Sequence, residues 1–391
     1  MKKYLPIVFT LIFGFPALAQ HIDNPIPYFS SSKGLNITPQ DSSFSLNLRF
    51  RMQNRFGMST VSDKDLSTHE WEAVVRRLRL RLDGFVYNPK FTYVIQLSFS
   101  RGDMDWDNTS FPNVIRDAMA FYRPNKNLQF GLGQSKLPGN RQRLVSSGDL
   151  QMPDRSNFNS VFQVDRDYGF NVYYNNKIGK IYYSARGAIT GGNGRNIEKT
   201  DALAYSGRVE IYPFGNFTNG GDYFEGDLER EKKPKLALAG AFSYNENATR
   251  TGGSIGKVLY EPRDIRSTYF DFVFKYKGWA WSSELAQRYT GSPITKDTSG
   301  NSAYVFSGNG FNSDLSYVFK NKFSIVGRYT VLHPLGDTKL KEAKTDYYAL
   351  GVGKYLKGHR LKLQTDLTYK NVVDAPAKNN WSIRFQVEMG I

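Results

Sequence analysis

The chain of 391 residues contains no cysteine. Disulfide staples, thiolate metal sites and an acylated N-terminal cysteine are therefore excluded. Histidine is scarce: His21, His69, His333 and His359 are scattered along the chain, at loops or segment ends. A metal site lacks clustered ligands, and a nucleophile lacks a nearby base; Ser146 and Ser147 have no histidine near them in sequence. The carboxylates of GDYFEGDLERE, residues 221–231, do not have the spacing of a calcium-binding EF-hand loop. A solvated polar turn is the simpler reading there. No catalytic residue, metal or cofactor is expected. Long apolar runs are missing too: beyond residue 20 nothing approaches the roughly 18 consecutive apolar residues of a spanning helix.

What is present points elsewhere. The start, MKKYLPIVFTLIFGFPALAQ, has two lysines, a short apolar run and Ala17-Leu18-Ala19, the pattern of a secretory signal peptide with cleavage after Ala19. Residues 1–19 are thus expected to be a signal, and 20–41, with Pro25, Pro27 and Pro39, a flexible periplasmic lead-in. Aromatics make up 15% of the chain, including 25 Tyr and 28 Phe, and the formal net charge is +16. An exported basic chain meets solutes and lipopolysaccharide rather than nucleic acid, so the charge reads as a field acting on anions.

From Ser42 onward the pattern has period two. Arg77-Leu78-Arg79-Leu80-Arg81-Leu82 makes no face as a helix, but as a strand it has one greasy and one cationic side. Sixteen such segments follow one another: 44–58, 71–87, 90–101, 114–123, 127–137, 165–176, 179–190, 201–213, 234–245, 266–277, 279–290, 303–319, 322–333, 345–357, 359–371 and 380–391. Short links such as Asn88-Pro89 and Lys277-Gly278 alternate with long ones such as 138–164; the exception is 214–233, a polar insertion where a short turn is due. Alternating turn lengths belong to a transmembrane antiparallel β-barrel, with residues 42–391 as one all-β domain in the outer membrane. A propeller or sandwich offers no reason for the alternation, and no blade repeat is present. Leu46, Leu48, Phe50, Phe270 and Phe272 would face lipid, while small polar residues such as Ser98 and Ser282 would line a water-filled bore.

The run GQSKLPGNRQRLVSSGDLQMPDRS (Gly133–Ser156), followed by DRDYGFNVYY (Asp165–Tyr174), resembles the phosphate-selective porin O and P family. RRLRLRLDGFVYNPKFTYVIQLSF and IRDAMAFYRPNKNLQFGLGQ are similar to that family's early strands, and the likeness is strongest from about residue 71 to 212. The resemblance implies a homotrimeric outer-membrane porin whose third outer loop folds into the bore, with arginine-lined walls that favour phosphate or other anions. One departure is the final residue, Ile391, where barrels commonly end on an aromatic.

If Leu78, Leu80 and Leu82 face lipid, Arg77, Arg79 and Arg81 face water, and the same parity in the first strand carries Arg49, Arg51 and Arg55. A register setting Arg55 opposite Arg77 and Arg51 opposite Arg81 is the working expectation. Six arginines against Asp83 alone on that wall would leave surplus charge to guide anions, through bidentate guanidinium contacts and fields that add along a narrow path. The bland alternative is that they pair with lumen carboxylates, candidates being Asp83, Asp117, Glu210, Glu284 and Asp366, and stiffen the wall. The long 138–164 loop, with Arg141, Arg143, Asp149, Asp154 and Arg155 just after Lys136, reads as a mixed-charge constriction, or else as a surface loop held by its own ion pairs. The chain is thus expected to be a porin for passive diffusion of small anions such as phosphate. Its rivals are an outer-membrane barrel hydrolase and a barrel-anchored adhesin or assembly protein.

Overall fold

A computed structural model of the chain describes residues 28–30, 34–104, 113–196 and 203–391. The expected signal peptide lies outside them. Two short strands, β1 (Tyr28–Ser30) and β2 (Gly34–Ile37), come first. The long strands of the first half are β3 (Phe44–Thr60), β4 (Thr68–Val86), β5 (Asn88–Ser98), β6 (Ile115–Tyr122), β7 (Leu128–Lys136), β8 (Arg166–Ile178), β9 (Ile181–Thr190) and β10 (Ala204–Tyr212). Those of the second half are β11 (Lys235–Arg250), β12 (Val258–Tyr276) and β13 (Trp279–Tyr289), then, after a small hairpin of β14 (Ile294–Lys296) and β15 (Ser302–Tyr304), β16 (Gly308–Val318), β17 (Phe323–Pro334), β18 (Thr345–Tyr355), β19 (Leu361–Val372) and β20 (Asn380–Gly390). The sixteen expected strands are all present.

Each long strand pairs antiparallel with its neighbours in the wall, and β20 pairs with β3 from Ser382↔Ser59 to Gly390↔Arg51, closing the sheet on itself. Closure pairs each of the sixteen wall strands on both sides, the condition for a sheet to sit in hydrocarbon. The lead-in differs from expectation. Part of it is built into the sheet, with β2 pairing to Leu46–Leu48 of β3 and β1 pairing to β2. Asn36 anchors it by donating to the Asn47 side chain at 2.6 Å.

The two faces of the wall are chemically opposite. Phe270, Leu285, Leu315, Leu350 and Phe385 are exposed on the outside, whereas Arg208, Glu210, Asp271, Glu284, Arg328 and Asp366 are buried inside. The outside also carries a row of aromatics across four strands: Tyr329, Tyr348, Tyr369 and Trp381, with centroid spacings of 5.0, 6.4 and 4.7 Å. A second group, Trp279, Tyr317, Phe319 and Phe323, lies by the short-turn ends. Such belts mark the two lipid interfaces. The short turns use tight chemistry. Between β12 and β13, Lys277 (φ 49°) and Gly278 (φ 99°) are both left-handed, as a two-residue primed turn demands, and a Cβ on Gly278 would meet the Val318 carbonyl oxygen at 2.5 Å.

The apolar core lies within the wall. Helix α1 (Arg141–Leu144) and helix α2 (Asn157–Phe162) both belong to the 138–164 segment. Phe158 and Phe162 of α2 pack with Leu137, Val164, Tyr269 and Leu332 against Ala188, Ala241 and Ala286 of the inner face. Small inner-wall residues make room for these rings: a Cβ on Gly310 would stand 2.2 Å from Phe162. No helix among the described residues is long and apolar enough to cross a membrane.

Candidate functional site: the arginine wall and the segments packed against it

The register between β3 and β4 corrects the expected one by two residues. Arg49 lies opposite Arg81, Arg51 opposite Arg79 and Gln53 opposite Arg77. Beyond Gln53 the pairing slips at a bulge, with Asn54 opposite Val75, so Arg76 is the extra residue. A bulge breaks the alternation and re-aims side chains. Here Arg76 and Arg77, although consecutive, both reach Asp154, at 2.9 and 2.8 Å. Arg55 joins them at 2.8 Å. Three guanidinium groups thus grip one loop carboxylate. Burial alone would raise the Asp154 pKa, but Arg77, Arg76 and Arg55 outweigh it and hold the acid well below the usual carboxylate range.

The expected charge surplus on this wall is smaller than six arginines against Asp83 alone, because Glu72 of β4 itself and carboxylates from other elements pair with them. Arg79 pairs with Asp103 at 2.6 Å, Arg55 also with Glu72 at 2.5 Å, and Arg51 lies 3.9 Å from Glu388 of β20. Arg49 and Arg81 share the single carboxylate of Asp83. These two keep the most water, with side chains 37% and 39% exposed. The six arginines therefore divide. Arg55 and Arg77, with Arg76, grip Asp154; Arg49, Arg51, Arg79 and Arg81 line a cavity, and of these Arg51 and Arg79 also bond to the 138–164 segment.

Residues 138–164 bond to inward-facing side chains around the barrel. Arg141 pairs with Glu210 of β10 (3.0 Å) and Asp271 of β12 (2.6 Å), and Arg208 closes the cluster onto the same two acids at 2.8 and 2.7 Å. The Gln142 amide donates to Glu284 of β13 at 3.0 Å. Lys362 and Gln364 of β19 donate to the carbonyls of Gly148, Leu150, Gln151 and Met152. Arg51 and Arg79 donate to the hydroxyls of Ser146 and Ser147 at 2.8–3.0 Å. Arg143 pairs with Asp165, while Arg155 donates to the Gln142 and Val145 carbonyls. Lys136 on β7 donates to two neutral acceptors, the carbonyls of Leu144 (2.9 Å) and Val145 (3.1 Å). Burial pushes Asp149 up to about 6, against the pull of Lys362 and Arg51.

Of the carboxylates proposed as arginine partners, Asp117 pairs with Arg166, Glu210 with Arg141 and Arg208, and Asp366 with Arg384. Sequence reasoning missed Arg76, Asp103 and Glu388. The bulge that turns Arg76 inward has no sequence mark; Asp103 comes from the link after β5 and Glu388 from the last strand, neither of them in the first hairpin. The reading of 221–231 as a solvated turn is also overturned: Gly221, Asp222, Asp227 and Glu231 are buried. Asp227 and Glu231 spend their carboxylates on backbone amides, accepting from Gly278 at 2.7 Å and Thr218 at 2.6 Å. Among the described residues no three His, Asp or Glu side chains converge as metal ligands would.

Two cavities flank the wall. One, of about 610 Å³, is lined by Arg49, Arg51, Arg79 and Arg81, and also by Asp149, His359, Arg360 and Ile391. The other, of about 410 Å³, is lined by Arg79, Arg81, Lys136, Asp117, Arg166 and Arg186. Arg79, Arg81, Gln96 and Ser146 border both.

A closed sixteen-strand antiparallel barrel, greasy outside and charged within, is an outer-membrane β-barrel of the porin class. Residues 46–217, a little under half of the chain, match the model of the phosphate-selective porin O and P family. That match spans the quoted runs on which the resemblance was read. The barrel is similar to the Salmonella typhi OmpF complex with daunomycin, at a TM-score of 0.56 and 12% identity, covering 91% of this chain and 100% of that one. It is similar also to the outer-membrane channel DcaP of Acinetobacter baumannii (TM-score 0.55, 12% identity, 93% and 99% covered). A loop-deletion mutant of OmpT from Vibrio cholerae gives 0.53 at 11% identity, with 88% and 99% covered. No curated protein matches the chain.

Proposed function

We propose that this barrel is a passive diffusion channel preferring small anions such as phosphate, and that Arg49, Arg51, Arg79 and Arg81 are its selecting wall. The observation that carries this is the shared border of the two cavities, where Arg79, Arg81, Gln96 and Ser146 meet. Guanidinium groups stay charged, and their planar forks fit phosphate oxygens two at a time. Arg49 and Arg81 have one carboxylate between them, so a positive charge is left to face water. In a bore with low-dielectric walls such charges concentrate counter-ions along the path.

In this reading residues 138–164 are the constriction, pinned from all sides, with Lys136, Arg143 and Arg155 adding cationic charge beside the path. Export by a signal peptide and assembly as a homotrimer complete the proposal, the latter resting on the family resemblance. The test is a planar-bilayer recording in chloride with phosphate added. Phosphate should reduce chloride current at concentrations that leave ionic strength nearly unchanged. A chloride current indifferent to phosphate would refute the phosphate preference, and a trimer should appear as triple-step closures and a threefold cross-linked species.

A further inference from the structure

The link between β10 and β11 is the one short-turn-side connection that is long, and its residues are bound deep among inward-facing groups. Lys275 of β12, itself buried, donates to the carbonyls of Gly221 (2.6 Å), Phe224 (2.7 Å) and Gly226. Tyr223 donates to Glu210 at 2.6 Å, and the Tyr212 hydroxyl to Asp222 at 2.9 Å. Phe224 stacks on His359, between β18 and β19, at 5.5 Å. The segment therefore reaches from β10 to the far side of a half-circle of strands, β10 to β19 in sheet order. That is the half opposite the arginine wall.

It also meets the 138–164 segment at one joint. The Glu225 amide donates to the Asp149 carbonyl at 2.9 Å. The Glu225 carboxylate accepts from the Gln142 side chain at 2.9 Å and from the Gln151 amide at 2.8 Å. Arg141 donates to the Asp222 carbonyl at 3.2 Å. A carboxylate that takes two donors from separate turns of a loop fixes that loop's shape, and buried charge-assisted bonds are the strong ones.

We infer that residues 216–232 are a second, periplasmic constricting segment, which closes the β10–β19 half of the bore and braces residues 138–164 through Glu225. The solute path is thereby confined to the arginine half, which makes Glu225 a positioning residue for selectivity. This rests on the channel reading above, but its test separates from it.

Residues 216–232 are replaced by Asn-Gly, a two-residue hairpin turn, and folding is checked by heat-dependent gel migration. Single-channel conductance of the folded variant should rise roughly two-fold or more, as a filled half of the bore opens. Unchanged conductance would overturn the inference. Glu225→Ala decides the case if the shortened chain does not fold: open-channel current noise should increase several-fold as the joint loosens, while Glu225→Gln, which keeps an acceptor, should stay near wild type. Wild-type noise in Glu225→Ala would equally overturn it. If the wild type shows no anion preference, the selecting wall is wrong, yet conductance and noise still judge the second segment.

Discussion

Asp154 is held by Arg55, Arg76 and Arg77 at 2.8, 2.9 and 2.8 Å. Arg77 is nearly sealed from water, so removing the partner leaves a buried charge uncompensated. Breaking such a pair costs about 3–5 kcal/mol. Asp154→Asn should therefore lower the thermal unfolding temperature, and in the folded fraction raise anion preference, because three guanidinium groups lose their shared carboxylate. Circular dichroism melts and reversal potentials check the two effects. Asp149 gives a pH-dependent prediction at the same scale. Its pKa, raised by burial to about 6, leaves it anionic at pH 7.5 and neutral at pH 5. It lines the larger cavity beside Arg49 and Arg51. Lowering the pH from 7.5 to 5 removes a negative charge there, so anion preference should rise; in Asp149→Asn that rise should be absent.

At the scale of elements, strands and helices have unlike origins. The strands were legible because lipid on one side and water on the other impose period two on every one, and sixteen segments repeat the signal. The 138–164 loop was legible only as a long charged link, since its contacts lie on β10, β12, β13, β17 and β19, far away in sequence. Helix α2 sits in a seat made by residues that carry no periodic mark, Gly310 above all. A methyl at Gly310 would stand 2.2 Å from the Phe162 ring, and overpacking of this kind costs about 1–3 kcal/mol. Gly310→Ala should assemble, melt earlier and show a noisier open channel, with the lipid-facing wall unaffected. A melt and a noise level equal to wild type would show that α2 has freedom to shift.

At the scale of the molecule, closure between β20 and β3 brings Glu388 beside Arg51 and Gln53. The period-two pattern of the first hairpin sets six arginines against Asp83 alone; the closed barrel adds acids from β4 itself, from β20, from residues 101–103 and from the loop. The inner face was legible as cationic, but its balance was not, because charge in a barrel is settled between segments distant along the chain. The reading of 221–231 as a solvated turn failed for the same reason: polar composition looks identical in a solvated turn and in one bonded to a charged bore. Of the six arginines of the first hairpin, Arg49 and Arg81 keep the most contact with water and share one carboxylate, Asp83.

In the proposed channel these guanidinium groups make the bore select anions. The most direct measurement is the reversal potential of the purified protein in a planar bilayer under a potassium chloride gradient, compared with Arg49→Gln/Arg81→Gln. Neither change touches the lipid face, so the double variant should insert normally. The wild-type potential should be displaced toward the chloride equilibrium value, with a clear shift toward zero in the variant. A wild-type potential at zero or on the potassium side, or a variant indistinguishable from wild type, would contradict this role of Arg49 and Arg81.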